Sequence, residues 1–382
     1  MTRHTRHNRV RKARGRSRVG ERFEAVVGPV AHGGHCIVRL PDPEARVVFT
    51  RHALPGERVV VEITEGTEGD RFWRGDAVEV LEASPDRVGA PCPAAGPGLC
   101  GGCDFQHVAV SAQRELKAAV VREQLVRIGR LDPEHPLVRD LVVERVPGDV
   151  DGLRWRTRTR FVELPDGRKG MRKHRSQETV AVADCLIAGG VASHEVLGHA
   201  FEVAADGFWQ VHPGAPQTLV EAVVTALDPQ PGEAVLDLYA GVGLFARFLA
   251  DRVGAGARVV AVEGQADAAR CAKRNLAGTS RLSVGTGSVD AVLAESYDEP
   301  FDLVVLDPPR EGAKRKVVEQ IVDRAPRAVA YVACDPAALA RDVAIFAEHG
   351  YEVTSLRAFD LFPMTHHVEC VALLTKTGSD LR

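Results

Sequence analysis

From residue 201 onward, short apolar runs alternate with stretches of helical spacing. EAVLDLYA, ARVVAVEG, LSVGTGS, FDLVVLDPP and AVAYVACDP are β-branched-rich runs mostly followed by helix-spaced segments, and VECVALLTK closes the series. Runs with no polar alternation read as strands buried on both faces, and repeated strand–helix units imply a parallel sheet between layers of helices. Residues 20–84 differ. RFEAVVGPV, HCIVRL, RVVFT, LPGERVVVEITEG and GDAVEVLEA are short β-type runs broken by Gly and Pro, the pattern of a small barrel of the OB type, which often binds single-stranded nucleic acid or RNA. SPDRVGAPCP reads as a linker. Residues 111–130 place Leu116, Val120, Val121, Leu125 and Ile128 at helical spacing, so an amphipathic helix with an aliphatic core stripe is expected. Residues 150–187 read as strands again, with Arg154, Arg156, Arg158 and Arg160 at a period of two. One strand face would then be all arginine. RNA phosphates would relieve that repulsion, and a solvated face with scattered acidic partners is the plain alternative.

At 382 residues the chain exceeds one hydrophobic core, and two or three domains are expected. The divisions are a basic arm over 1–19, a barrel over 20–84, a central region over 85–200 and a catalytic domain over 201–382. The fold class is α/β. With 45% apolar and 26% charged residues, the composition is that of a globular protein, and no apolar run reaches the length of a spanning helix. A cytoplasmic protein with no membrane partner is expected, and no feature calls for an obligate protein partner. The net charge of −3 hides an asymmetry, because residues 1–19 hold eight Lys or Arg and no acid. Such a block reads as an arm for polyanions; the competing reading, a mitochondrial transit peptide, lacks its apolar helical face.

The candidate chemistry lies at strand ends. In open α/β sheets ligands bind outside the carboxyl ends of the strands, which puts Asp307 and Cys334 on one crevice. In VLDLYAGVGLFARFLA, Gly241 and Gly243 let the backbone approach a ligand, and the next helix offers free N–H groups. The following strand ends at Glu263, twenty residues after Gly243, where a carboxylate can accept both ribose hydroxyls of an adenosine-containing cofactor. A dinucleotide fingerprint fits less well, because Phe245 and Ala246 stand where its third glycine belongs. Asp237 ahead of the turn suits class I S-adenosylmethionine methyltransferases better, since the acidic Asp307 and the π face of Tyr239 suit a cationic sulfonium.

Eight cysteines in a cytoplasmic chain do not suggest disulfides. Cys92, Cys100 and Cys103 form a C-x7-C-x2-C run rich in Gly and Pro, with Cys185 the nearest fourth thiol. Zinc and a 4Fe-4S cluster both accept four thiolates, so spacing leaves the metal open. Carbon 5 of a pyrimidine is a poor nucleophile until a thiolate adds to carbon 6, and a base must then remove the carbon 5 proton. Cys334 is the candidate thiol and Glu369, in THHVECVALL, the candidate base.

With these motifs in order, the chain resembles the RNA (uracil-5-)-methyltransferases, and within them the subgroup with a TRAM barrel and a 4Fe-4S cluster that acts on 23S ribosomal RNA. His32–Gly34 and Leu54–Val59 match its TRAM motifs, and Cys100–Cys103 with Gln106–His107 match its cluster motif. The resemblance implies a class I methyltransferase domain of Rossmann type after a TRAM/OB-like barrel and a central iron–sulfur region. It implies a 4Fe-4S cluster, in preference to zinc, on Cys92, Cys100, Cys103 and Cys185. A phenylalanine–aromatic–glutamine segment that touches the cofactor maps onto Phe208, Trp209 and Gln210. Tyr239, Gly241, Gly243, Glu263 and Asp307 map onto S-adenosylmethionine contacts, Cys334 onto the nucleophile and Glu369 onto the base. The expected partner is RNA, ribosomal in preference to transfer RNA. Three departures stand out: the first cluster spacing is x7 where many relatives have x5, Leu244 stands where some members have a polar cofactor contact, and Ala333 replaces the common serine before the nucleophile.

The expected activity is therefore methylation of uridine at carbon 5 in structured RNA through a cysteine–carbon 6 adduct, on a base flipped out of its stack. An amino-group methyltransferase, which needs no thiol, and a non-catalytic iron–sulfur RNA-binding protein are the competing readings.

Overall fold

The computed structural model describes residues 15–41 and 44–378. The basic arm expected over 1–19 lies, up to residue 14, outside the described residues. The chain divides into two compact units, Met1–Ala109 with Met171–Val180 and Val110–Gly170 with Ala181–Arg382. Residues 85–200 are thus shared between the two.

In the first unit, β1 (Arg22–Ala31), β2 (His35–Arg39), β3 (Val47–Arg51), β4 (Arg58–Glu65) and β5 (Phe72–Glu82) close a barrel in the order β1-β2-β3-β5-β4. All its neighbours are antiparallel except β3 and β5. Alternation drives the closure: Val59, Val61 and Ile63 of β4, like Cys36 and Val38 of β2, point inward. His32–Gly34 form the β1–β2 turn, with Gly33 and Gly34 in left-handed backbone. The buried Glu57 of LPGERV accepts from Leu54 N and Ser84 N and pairs with Arg87.

The second unit is built on a sheet. Its strands are β6 (Val143–Arg145), β7 (Val235–Leu238), β8 (Val259–Glu263), β9 (Leu282–Thr286), β10 (Leu303–Leu306), β11 (Ala328–Ala333), β12 (Tyr351–Asp360) and β13 (Glu369–Lys376). Among the described residues they form an eight-stranded sheet in the order β9-β8-β7-β10-β11-β13-β12-β6. Strands β9 to β11 run parallel, and β13 is antiparallel to both neighbours. The strand order reverses between β7 and β10, which opens a crevice at their carboxyl ends.

Helices cover both faces. Leu236, Leu238, Val304 and Leu306 pack with α1 (Val110–Arg127) and with residues of 336–348, whereas Val235 and Val305 face Ala215–Leu227 and Leu244–Val253. Each strand buries both sides, as the unbroken apolar runs predict.

Two expectations are corrected here. Helix α1 forms where predicted, but its stripe is not purely aliphatic: Gln113, Lys117 and Gln124 are buried beside Val120, Val121 and Leu125, while Ile128 is exposed. Residues 154–160 form no strand. Arg154 has a φ of 56°, Trp155 is buried, and backbone N–H groups of Arg154, Arg156 and Thr157 bond the carbonyls of Leu186, Ile187 and Val211. Arg154 pairs with Asp184 at 2.7 Å and Arg158 bonds Gly207 O at 2.6 Å. The alternation was real, but these hydrogen bonds to separate loops replace a strand ladder.

Candidate active site

The turn after β7 is shaped by left-handed residues: Tyr239 at φ 60°, Gly241 at 56° and Gly243 at 88°. Gly243 is required twice over, since a Cβ there would also lie 2.8 Å from Leu276 Cδ1. Around Gly241 nothing lies within 4 Å of such an atom, so its face is open to a ligand. Asp237 is fully buried; its Oδ2 accepts from Ala246 N at 2.8 Å and its Oδ1 has no partner. Burial pushes this carboxyl well above the usual range, against the Ala246 bond and with help from the charges of Asp307 and Glu263. A buried carboxyl with an unused oxygen suits a cationic or N–H-rich ligand.

Glu263 ends β8. Its Oε2 accepts from Gly241 N at 2.8 Å and its Oε1 from Gln265 N at 2.6 Å. These bonds fix the carboxylate beside the glycine turn, and each oxygen keeps a lone pair for a ribose hydroxyl. Asn275, which the sequence reading passed over, bonds Val242 O at 2.9 Å and Glu202 O at 3.0 Å, tying the turn to the segment before Phe208. In that segment Trp209 packs against Phe201 and donates to Ser193 O, Gln210 is half-buried and Phe208 is 61% exposed.

Asp307 follows β10, and its N–H bonds Leu238 O at 3.3 Å, which places it beside the cofactor turn. Burial raises its carboxyl to about 7. Cys334 follows β11. The next residue, Asp335, caps the helix Pro336–Glu348 by accepting from Ala337 N and Ala338 N at 3.0 and 2.9 Å, with Pro336 at the first helical position. The dipeptide after the cysteine thus starts a helix at once and leaves the thiol at its mouth. Glu369 opens β13. Ala333 of β11 pairs with Cys370, and the same antiparallel register brings Cys334 opposite Glu369.

Glu369 is buried and its Oε1 has no partner. Burial, and then the Asp307 charge, push it well above the carboxylate range, opposed by Arg310. The half-buried Cys334 thiol is pushed up to about 12 by burial, Glu369 and Asp307, again opposed by Arg310. Arg310 lies 3.1 Å from His367 Nε2. Sequence reading missed both of these; their signal was their place three residues after Asp307 and two before Glu369. The geometry joins a thiol, a buried carboxyl and a glycine turn at one end of one sheet.

The expected metal ligands are four free cysteines. Cys92, Cys100 and Cys103 lie in the first unit and Cys185 in the second, all half-buried. Gly102 N–H approaches Cys100 Sγ at 3.4 Å and Gln106 Nε2 approaches Cys103 Sγ at 3.5 Å, donors that suit thiolates. Among the described residues, however, no group of three or more His, Cys, Asp or Glu is gathered to hold a metal ion. The N–H donors beside Cys100 and Cys103 fit the sulfur ligands of a cluster. Among the described residues no helix is long and apolar enough to cross a membrane.

Comparison with known proteins follows the same lines. Residues 289–377 match the tRNA (uracil-5-)-methyltransferase family, 217–331 the methyltransferase small domain and 16–78 the TRAM domain. An uncharacterized RNA methyltransferase of Streptomyces avermitilis is 44% identical, over 95% of this chain and 100% of its own. One of Streptomyces coelicolor is also 44% identical, over 96% of this chain and 95% of its own. The crystal structure of Pyrococcus abyssi tRNA (uracil-54, C5)-methyltransferase in complex with S-adenosyl-L-homocysteine shares the fold, with a TM-score of 0.65 at 20% identity, covering 92% of this chain and 99% of that one. The chain therefore belongs to the RNA (uracil-5-)-methyltransferases, class I S-adenosylmethionine-dependent enzymes, and carries an N-terminal TRAM domain.

Proposed function

We propose that this protein methylates carbon 5 of a uridine in structured RNA, 23S ribosomal RNA in preference to transfer RNA, through a covalent adduct on Cys334. The observation that carries this reading is the opposition of Cys334 and Glu369 across the β11–β13 register, beside Asp307. S-adenosylmethionine, held by Gln210, Tyr239, Gly241, Gly243, Glu263 and Asp307, supplies a methyl group on a cationic sulfonium and leaves as the neutral thioether. The open face of Gly241 and the unused oxygen of Asp237 support that assignment.

Cys334 loses its proton to solvent, and the thiolate Sγ adds to carbon 6 of the uracil ring. The carbon–sulfur bond forms, the electrons of the C5–C6 double bond move towards the C4 carbonyl, and carbon 5 becomes nucleophilic. Once carbon 5 carries the methyl group, Glu369, as the carboxylate, takes the proton from carbon 5. The double bond re-forms, the carbon–sulfur bond breaks and the thiolate is returned. A carboxyl whose proton affinity is raised by burial is suited to that second step.

Incubation with 5-fluorouridine-containing RNA and methyl donor tests the reading, because fluorine at carbon 5 cannot leave as a proton and the adduct should persist on Cys334. Turnover of ordinary RNA without any such adduct overturns it. The matched family is described by its action on tRNA, so mapping 5-methyluridine in total RNA with and without the protein decides the target. The cluster on Cys92, Cys100, Cys103 and Cys185 is part of the proposal: anaerobic purification should give brown protein absorbing near about 400 nm, and colourless zinc-bound protein would refute it.

A further inference from the structure

We infer that helix α1, remote in sequence from the catalytic motifs, sets the position of Glu369, with Gln113 and Lys117 as its positioning residues. The inference rests on the proposed roles of Cys334 and Glu369. Gln113 and Lys117 are one helical turn apart on a buried face. Lys117 Nζ bonds Asp360 Oδ1 at 2.6 Å and Phe362 O at 3.0 Å. Gln113 Oε1 accepts from Met364 N at 2.8 Å, and its Nε2 donates to Met364 Sδ at 3.3 Å. The loop between β12 and Glu369 is therefore pinned at Asp360, Phe362 and Met364 by one turn of α1, across 243 to 251 residues of sequence.

What is pinned is strained. Met364 has a φ of 65°, a left-handed conformation that costs an L-residue roughly 1–2 kcal/mol. From another side, Gly152 leaves room for this loop, since a Cβ there would sit 3.0 Å from Met364 Cε. Beyond Met364 the chain is held by its own bonds: Thr365 Oγ1 donates to Phe362 O at 2.8 Å, and His367 N donates to Thr365 Oγ1 at 3.3 Å. His367 then meets Arg310, Val368 is buried, and Glu369 follows.

Packing alone does not account for these residue types. A lysine and a glutamine on a face that periodicity reserves for aliphatic side chains carry a desolvation cost, and apolar residues of like volume often serve a core as well or better. Polar atoms of both bond the end of β12 and the backbone and side chains of the loop that follows it. Glu369 has no bond at Oε1 to orient it, so its direction comes from the chain on either side.

Gln113→Leu keeps the volume and removes the acceptor of Met364 N–H. With the base displaced, adduct formation and methyl transfer proceed but proton removal slows. The expected result is a fall of about ten- to a hundred-fold in kcat, with RNA KM and methyl-donor affinity near wild type, and accumulation of a methylated protein–RNA adduct on ordinary uridine substrate. Gln113→Glu, which retains the acceptor oxygen, restores turnover. An unchanged kcat, or a fall without adduct, overturns the inference. Should Gln113→Leu not fold, Thr365→Val loosens the same loop and the same adduct assay decides. Wild-type protein with 5-fluorouridine RNA is the control: if it forms no adduct, the covalent reading itself fails, whatever α1 does.

Discussion

Cys334 and Glu369 face each other one rung beyond the Ala333–Cys370 pair, where β11 ends and β13 begins. Burial disfavours the charged form of both groups: the thiol is raised to about 12 and the carboxyl well above its usual range, with Arg310 as the opposing cation, and each must lose its proton before it acts as nucleophile or base. A thiol held in this way is inert towards solvent oxidants and becomes nucleophilic only when it loses its proton.

The rate of adduct formation should therefore depend on pH. Below its pKa the thiolate fraction grows about tenfold per pH unit, so single-turnover adduct formation should climb from about pH 6.5 to 9 without a plateau. Arg310→Gln removes the cation that lowers both groups and should slow the reaction at every pH. A flat profile in stopped-flow or quench measurements would contradict this picture.

The two catalytic substitutions should stall at different points. Cys334→Ala should bind methyl donor as tightly as wild type yet give neither adduct nor methylated RNA. Glu369→Gln should methylate once and then hold the RNA covalently, visible as a shifted band on a denaturing gel. If Cys334→Ala transfers methyl groups at an appreciable rate, the thiol is not the nucleophile.

The glycine turn separates cost in stability from cost in binding. Gly243→Ala combines a φ of 88° with a 2.8 Å approach to Leu276 and should destabilise by roughly 1–3 kcal/mol. Gly241→Ala meets no neighbour but must hold a φ of 56°, so it should cost roughly 1–2 kcal/mol, yet it fills the face open to cofactor. Thermal melting and methyl-donor titration should rank the two in opposite order. Equal loss of affinity per unit of lost stability would argue against a cofactor at Gly241.

How much of this was legible in the sequence depended on range. Strand runs, the glycine turn, Cys334 at a strand end and the helix that follows AVAYVACDP are local patterns, and each forms as read. The barrel was legible for the same reason, from alternation and turn residues. Arg154–Arg160 deceived because period two does not say whether a neighbouring strand exists to pair with. Helix α1 was read as an aliphatic stripe because no periodicity reveals that Lys117 has a carboxylate 243 residues away. The pairing of Arg310 with His367 spans 57 residues and was hidden likewise.

Stability should also carry the mark of Asp307. Its folded pKa of about 7 lies above the ordinary 3.8, so between those values the folded protein binds more protons than the unfolded chain. By linkage its contribution is fully present below about pH 4, is lost as pH rises and is exhausted by about 7. Asp237 and Glu369, raised in the same direction, add to the decline. Asp307→Asn stays neutral throughout, so its melting temperature should fall less steeply than that of the wild type over that window. A bound sulfonium beside Asp307 should offset the decline, so the rise in melting temperature on adding methyl donor should grow towards neutral pH. Differential scanning calorimetry at a series of pH values reads both effects. If the donor's stabilising effect shrinks as Asp307 ionises, that carboxylate does not face the sulfonium.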